Sequence, residues 1–318
     1  MRGKHTHTHT HTHTHTHTHT GSFRAAISRP RLKSQSAMEY LMTYGWAILI
    51  IAVVLGALFS LGVFNGSNLA PKASPGACQV FRYQIGSTTS ASLQGECQGL
   101  EPQYVAQFET KQLNAGSNVT VQMPLNGNKI TITAWIKPFL PNPGSTCFWG
   151  CPIVMENGYR SVILKINSAG QFNWVVNDYS IQSQPGTIQN TWYFITGTYS
   201  GTTQDLYING ALINSNSLST TVSPSTTLEI GECLYWWCNN QWFNGSIANV
   251  QIYNTSLSAS QVQALYQEGI GGAPIDPMYL VGWWPLNGNA NDYSGNNNNG
   301  QATNVIYTSS WTSGYSAP

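Results

Sequence analysis

An uncharged and mostly apolar run from Tyr40 to Phe64 constrains this chain more than any other feature of its 318 residues. At ~1.5 Å of rise per residue, a helix of that length covers the roughly 30 Å hydrocarbon core of a membrane. The run is longer than the apolar core of a removed secretory signal, which has about 7–15 residues. The sequence therefore predicts a single N-terminal transmembrane helix.

The distribution of charge predicts how this helix is oriented. Six basic residues precede the apolar run, whereas every acidic residue lies at Glu39 or beyond. Lys and Arg are enriched on the cytoplasmic side of membrane helices. We therefore expect a cytoplasmic N terminus and a large C-terminal part displayed outside the cell membrane, at the cell surface.

The junction between the basic segment and the apolar run resembles the class III (prepilin) signal of archaeal type IV pilin-like proteins. Residues 33–47 read KSQSAMEYLMTYGWA. In that family a membrane peptidase cuts before the apolar helix, which stays in the mature subunit. The resemblance implies cleavage between Ser34 and Gln35, although the family more usually has Gly where Ser34 stands. It also implies that Glu39 pairs with a neighbour's new α-amino group during self-assembly into a filament.

An uncleaved signal anchor that holds one monomeric surface domain is the alternative. In either case the chain divides into a leader (1–34), the helix (35–64), a stalk linker (65–77) and an outer domain (78–318). Histidine and threonine alternate from His5 to Thr20, which is typical of an expression tag or a low-complexity leader, and this repeat carries no fold information.

The composition of the outer part excludes nucleic-acid binding. Seven basic and eleven acidic side chains follow Phe64, which gives this part a net charge of −4. Phosphate recognition needs a basic patch, and none is present. Neutral polar residues and aromatic residues are abundant there instead, as is typical of an exposed β protein.

All cysteines follow the apolar run and are even in number, which indicates disulfides in an oxidising location. The sequence does not choose among the pairings, and we take nearest neighbours as a working hypothesis. A zinc site would need a cluster of thiolates, because no histidine follows His19. The six residues are Cys78, Cys97, Cys147, Cys151, Cys233 and Cys238.

Four Asn-x-Ser/Thr tripeptides on the predicted outer side are candidate glycosylation sites. They begin at Asn65, Asn118, Asn244 and Asn254.

Short strand-like runs separated by turn residues fill the outer part. Residues 130–136 alternate strictly, with isoleucines and Ala134 on one face and Trp135 on the other. Asn209 and Gly210 lie between two apolar runs and predict a type I′ hairpin. Further predicted strands cover 162–166, 172–176, 192–199, 206–208, 228–230 and 247–253. This spacing predicts two packed antiparallel sheets.

One helix interrupts the strands. Ser258 is its predicted N-cap, Gln261 completes a capping box, and Gly269 ends it.

The order of these blocks resembles a laminin G-like domain, over roughly residues 103–269. The blocks are ITAWIKP (132–138), WYFITGTY (192–199), DLYING (205–210), FNGSIANVQIYN (243–254) and LSASQVQALY (257–266). That family has the concanavalin A-like fold. The resemblance implies an all-β, two-sheet antiparallel jelly-roll sandwich after the N-terminal transmembrane helix.

Residues 279–295, YLVGWWPLNGNANDYSG, are similar to the block that ordinarily begins such a domain, yet they follow its closing helix. Three arrangements are open: closure of 279–318 on its own sandwich, a truncated second repeat, or a strand donated to the next subunit. Exposed Trp283 and Trp284 would promote association, which disfavours the truncated repeat. The linker is long enough to return, so we favour intramolecular closure.

The sequence offers little support for an enzyme. Glycoside hydrolysis needs two carboxyl groups facing one substrate. Glu229 and Glu232 are the only close acidic pair in the matched region, and their spacing places them on opposite faces of a continuous strand. We therefore expect no catalytic residues, and a carbohydrate-active enzyme stays the less favoured alternative.

Aromatic residues in two cysteine-bounded loops are the candidate ligand-binding residues. Flat rings beside amide side chains suit a sugar's apolar face and hydroxyl groups, or a protein surface. These residues are Phe148, Trp149, Tyr235, Trp236, Trp237 and Trp242. No cofactor is certain, although Asp292 lies in an Asn-rich loop that could hold Ca²⁺, and relatives with this fold often carry calcium. The predicted partners are a prepilin-type signal peptidase, further copies of the chain and a glycan or surface protein.

Overall fold

The structure is a computed structural model. It describes residues 37–60, 71–109, 116–125, 127–139, 150–156, 162–187, 189–222, 225–233 and 241–318. The chain divides into two compact units, one ending at Ala57 and one running from Leu58 to Pro318.

Helix α1 (Ala37–Ser60) lies in the N-terminal unit except for its last three residues. Within the residues whose structure is described, no helix is both long and apolar enough to cross a membrane. The Ser34–Gln35 bond, the side chain of Glu39 and Asn65 lie outside those residues. The membrane span over 35–64 and its processing stay predictions.

The larger unit is built on two antiparallel sheets, of seven and eight strands in the described ranges. In spatial order the first contains β11 (Tyr179–Gln182), β10 (Phe172–Val176), β9 (Val162–Ile166), β8 (Cys151–Glu156), β15 (Ser225–Ile230), β6 (Asn118–Leu125) and β20 (Gly300–Thr303). The second contains β14 (Ala211–Ser217), β13 (Thr203–Ile208), β12 (Tyr193–Tyr199), β7 (Ile130–Pro138), β18 (Gly245–Tyr253), β5 (Val105–Phe108) and β21 (Ile306–Thr308), with β19 (Leu280–Trp284) also beside β18.

Three small ribbons accompany the sheets. They are the parallel pair β1 (Lys72–Ala73) and β4 (Glu101–Pro102), the hairpin β2 (Cys78–Ile85) and β3 (Thr88–Gly95), and the antiparallel pair β16 (Glu232–Cys233) and β17 (Gln241–Trp242). The all-β sandwich predicted from the sequence is confirmed.

The main core lies between the two sheets, and residue alternation decides which side chains enter it. In β7, Ile130, Ile132 and Ile136 belong to this core, whereas Trp135 belongs to a second cluster on the outer face of the same sheet. Successive side chains in a strand point to opposite faces. The predicted alternation is therefore confirmed, with both of its faces buried.

Local sequence signals also predicted the positions of a hairpin turn and of the second helix. Asn209 and Gly210 have φ values of +49° and +77°, as a type I′ turn requires, and connect β13 to β14. Helix α2 spans Ala259–Gln267. The Ser258 hydroxyl accepts from the Gln261 backbone N–H, and the Gln261 side chain accepts from the Ser258 backbone N–H. The predicted capping box is confirmed.

The C-terminal block contributes strands to both sheets of its own chain. β19 pairs with β18, β20 pairs with β6, and β21 pairs with β5. Trp283 and Trp284 are 3% and 0% exposed. Their burial removes the association-prone surface that an unpaired block would expose.

The second cluster covers the outer face of the eight-stranded sheet. Val262 and Leu265 of α2, Val80 of the β2–β3 hairpin and Trp311 near the C terminus all pack there. The central strands of this face are consequently covered, whereas the edge strand β14 remains largely exposed.

Candidate functional site

Three long connections leave the sandwich at one end. Gly245, the first residue of β18, is in register with Phe108 at the end of β5 and with Pro138 at the end of β7. The connections 109–117, 139–150 and 231–244 therefore start or finish at the same end. We call these three connections the loop end.

Both cysteine-bounded aromatic loops start from this end. Cys151 begins β8 and Cys233 ends β16, and each forms a disulfide with a cysteine outside the described residues. β16 and β17 contact β8, so the bases of the two loops lie together. The other cysteines and the candidate rings within these loops lie outside the described ranges: Cys147, Phe148, Trp149, Tyr235, Trp236, Trp237 and Cys238.

Trp242 is the one candidate ligand-binding ring that the structure describes, and it is buried. It lies in β17 opposite Glu232 and is 6% exposed. Its assignment as a ligand contact therefore needs correction, because its ring packs at the base of the loop. Sequence spacing missed this because it could not show that β16 and β17 form a ribbon.

A buried carboxylate lies beside this ribbon. The Asn118 Nδ2 atom donates to Glu232 Oε2 at 3.0 Å, and both side chains are less than a tenth exposed. Burial raises the pKa of Glu232, and the hydrogen bond from Asn118 opposes part of that rise. A Cβ atom on Gly116 would lie 2.8 Å from the same Glu232 oxygen, so a larger residue there would have to displace this carboxylate.

The candidate glycosylation sites that the structure describes differ in how accessible their side chains are. Asn118 needs correction, because its Nδ2, the atom that would carry a glycan, is buried and donates to Glu232. Asn244 Nδ2 donates to the Phe139 carbonyl at 3.3 Å, whereas Asn254 is exposed. Glycosylation at Asn254 therefore fits this structure best and stays a prediction.

The four described cysteines are all bonded. Cys78 and Cys97 form a disulfide, as nearest-neighbour pairing predicted, and Cys151 and Cys233 are bonded to partners outside the described ranges. A thiolate zinc cluster built on these four is excluded, because disulfide sulfurs are not thiolates. In the described part of the chain, no group of three or more His, Cys, Asp or Glu residues is arranged to hold a metal ion.

The carboxylate of Asp292 organises its own loop. Its Oδ1 accepts from the backbone N–H groups of Trp283 and Ser294, at 3.0 and 2.8 Å. Its Oδ2 accepts from the Ser294 hydroxyl and the Asn298 backbone N–H, at 2.9 and 2.8 Å. Four donors contact the two oxygens, as is typical of a turn-forming Asp, and the calcium site at Asp292 stays a prediction.

The acidic pair of the matched region does not face an open cleft. Glu229 is fully buried in β15, and Gly231, with a φ of +88°, breaks the strand before Glu232. A cavity of about 740 Å³ lies elsewhere and is lined by Glu96 and Glu268, with Leu93, Leu100 and Ile275 among its other residues. Sequence reasoning could not place these two glutamates at one cavity, because they are far apart in the chain.

Lys137 is a buried cation that the sequence analysis also missed. Its Nζ atom donates to the carbonyl oxygens of Trp311 and Ser313, at 3.3 and 3.2 Å, and lies over the rings of Trp192 and Phe139. Burial lowers the pKa of Lys137. The alternation of β7 places it on the same face as Trp135, which is the signal that could have found it.

Comparison with known proteins covers the region that contains the loop end. Residues 112–263 match a laminin G-type family model described as the concanavalin A-like lectin/glucanases superfamily. No curated protein matches the chain.

Solved structures are similar over most of the larger unit. A candidate carbohydrate-binding protein from Bacteroides ovatus is 16% identical, with 73% of this chain and 69% of that protein covered and a TM-score of 0.52. A heptameric SAP-like pentraxin from Limulus polyphemus is 16% identical, with 65% and 94% covered and a TM-score of 0.47. Domain 4 of an extracellular arabinanase from Geobacillus stearothermophilus, solved with arabinotriose, is 14% identical, with 58% and 80% covered and a TM-score of 0.38.

Proposed function

We propose that the concanavalin A-like jelly roll of this chain binds carbohydrate at its loop end and is displayed at the cell surface on an N-terminal membrane anchor. One observation carries the proposal: the bases of two cysteine-bounded aromatic loops, at Cys151 and Cys233, lie together at one end of the sandwich. Disulfides that pin such loops reduce the ordering cost of binding. The family description, which includes lectins, supports the same ligand class.

The loop end is tested by replacing its predicted rings. We expect the double variant Trp236→Ala/Trp237→Ala to lose binding on a glycan array while its thermal unfolding stays unchanged. Tyr279→Ala is the matched control, because Tyr279 is 52% exposed and lies outside both loops. Equal array binding by the double variant and the wild-type chain would contradict the proposal.

We further propose that residues 35–64 form the anchor and polymerise as in archaeal pilin-like proteins. The class III signal around Ser34 and Gln35 and the acidic Glu39 support this part of the proposal. N-terminal sequencing of protein made with an archaeal prepilin peptidase should find Gln35 first, and Glu39→Ala should lose filaments while glycan binding persists. A retained residue 34 would instead favour the monomeric anchored lectin.

A carbohydrate-active enzyme is the second candidate function. The observation that favours it is the cavity of about 740 Å³ with Glu96 and Glu268 in its lining, since glycoside hydrolysis uses two carboxyl groups. Release of reducing sugar from a bound polysaccharide, abolished by Glu96→Gln or Glu268→Gln, would support this function. Binding of the polysaccharide without any release of reducing sugar would support carbohydrate binding without catalysis.

A further inference from the structure

The hairpin β2–β3 stands outside both large sheets and presents one uncharged face to solvent. Phe81, Tyr83 and Ile85 point away from the domain and are 49%, 39% and 63% exposed. Across the hairpin they are in register with Ser92, Ser90 and Thr88, and Gln79 with Gln94 completes the face. A contiguous exposed apolar patch on a soluble domain commonly marks a binding surface.

The two aromatic rings on this face lie next to each other and are nearly parallel. The ring centroids of Phe81 and Tyr83 are 6.2 Å apart, and their planes differ by 23°. Both rings are partly exposed, so together they add apolar surface to this face beside the serine row. This combination suits the apolar faces of successive sugar rings together with their hydroxyl groups.

The opposite face of the hairpin is held firmly. The Arg82 guanidinium donates to the carbonyl oxygens of Ser294, Pro277 and Leu280, at 3.0, 3.0 and 2.6 Å. Val80 is 4% exposed in the second cluster, and the disulfide of Cys78 closes the base of the hairpin. The outward rings are therefore preorganised, which lowers the ordering cost of binding a ligand.

The dimensions and charge of the face indicate what it binds. Two strands of eight residues cover about 26 Å by about 10 Å, or roughly 260 Å², whereas a stable protein interface buries about 800 Å² per partner. The face is thus too small to hold a second copy of the chain alone. With no basic side chain among its outward residues, it also lacks attraction for phosphates or acidic sugars.

We propose that the outward face of the hairpin 78–95 is a second carbohydrate-binding surface, with Phe81 and Tyr83 stacking on a neutral polysaccharide. It is separate from the loop end, because Leu280, which Arg82 contacts, pairs with Tyr253 at the far end of β18. It also lies outside the matched residues 112–263. The inference therefore goes beyond the proposed function, and the two can fail independently.

The test compares full-length variants, purified in detergent, in pull-downs with cellulose, chitin and mannan. We expect Phe81→Ala/Tyr83→Ala to lose at least tenfold in affinity for one of these polymers, with an unchanged melting temperature. The swap Phe81→Tyr/Tyr83→Phe should keep the affinity, because both rings remain. Tyr179→Ala, which removes a ring that is 56% exposed on β11, should bind like the wild-type chain.

Three results would overturn the inference. One is equal binding of all three polymers, or no binding of any, by the wild-type chain and the double alanine variant. Another is a change from dimer to monomer in the double variant by light scattering, which would assign the face to a second copy. The third is loss of binding to neutral phosphatidylcholine vesicles, which would assign it to a lipid surface. Trp236→Ala/Trp237→Ala should leave hairpin-dependent binding intact, so a failure of the loop-end proposal is recognised separately.

Discussion

Replacement of Trp311 by alanine should destabilise the sandwich more than most single changes. The indole is fully buried against the outer face of the eight-stranded sheet, and its Nε1 donates to the Pro102 carbonyl at 3.0 Å. Its own carbonyl accepts from Trp192 Nε1 at 2.9 Å. The Nζ atom of Lys72 lies 4.6 Å from the ring centroid. The residue thus joins the C-terminal segment to several distant elements, through its indole and its backbone carbonyl.

The magnitude follows from the buried area. An indole buries about 200 Å², and at about 25 cal/mol per Å² its transfer is worth about 5 kcal/mol, an upper value because unfolded chains are partly compact. Large-to-small changes of this kind cost about 3–5 kcal/mol. We expect Trp311→Ala to lower the free energy of unfolding by about 4 kcal/mol, and Trp311→Phe by about 1–2 kcal/mol.

Urea unfolding of the full chain, followed by far-ultraviolet circular dichroism, measures this loss. With a slope of about 3 kcal/mol per molar urea, the midpoint should fall by about 1.3 M. The exposed control Tyr279→Ala should change stability by less than about 0.5 kcal/mol. A loss below about 1 kcal/mol for Trp311→Ala would refute the reasoning. A wild-type midpoint that rises with protein concentration would show instead that the C-terminal block closes on another subunit.

Three further predictions concern buried positions. Gly197→Ala should lower the free energy of unfolding by about 1–3 kcal/mol in the same urea assay, because the added Cβ would lie 2.2 Å from the Trp174 ring. An unchanged free energy of unfolding would mean that the core rearranges to accommodate the methyl group. Burial lowers the pKa of Lys137 in the folded chain, so its contribution to stability is lost as pH falls through that folded pKa. The urea midpoint should therefore rise as pH increases toward about 10.4, the usual pKa of an unfolded lysine. Lys137→Met should abolish that rise. Burial raises the pKa of Glu232, so stability should fall as pH rises from about 4.3 through the folded pKa, and equal pH slopes for Glu232→Gln and wild type would contradict this.

Much of the fold could be predicted because its signals are local. The alternation of 130–136, the Asn209–Gly210 turn and the Ser258 capping box each depend on residues a few positions apart, and all three are confirmed. The candidate site was harder to predict. Two loops could be recognised by their cysteines and aromatic residues, but their common position depends on β16 and β17 contacting β8.

The errors share one physical cause: a short sequence motif does not show whether its residues become buried in the folded chain. Asn118 lies in a tripeptide that predicts glycosylation, yet its side-chain amide is buried against Glu232, which lies 114 positions away in the chain. Trp242 reads as an exposed ring, yet it lies at the base of a loop and is buried.

The amino-acid sequence was sufficient to predict several central strands, the apolar face of β7, the turn at Asn209 and Gly210, and a segment apolar enough to be proposed as a membrane anchor. Those properties follow from periodicity and backbone preference, which act over a few residues. The folded structure was needed to show that residues 279–318 supply strands to both sheets, that Lys137 is buried against Trp311, and that Phe81 and Tyr83 remain exposed. The reason is that alternation assigns a side chain to a face, whereas segments distant in the sequence determine whether that face is covered.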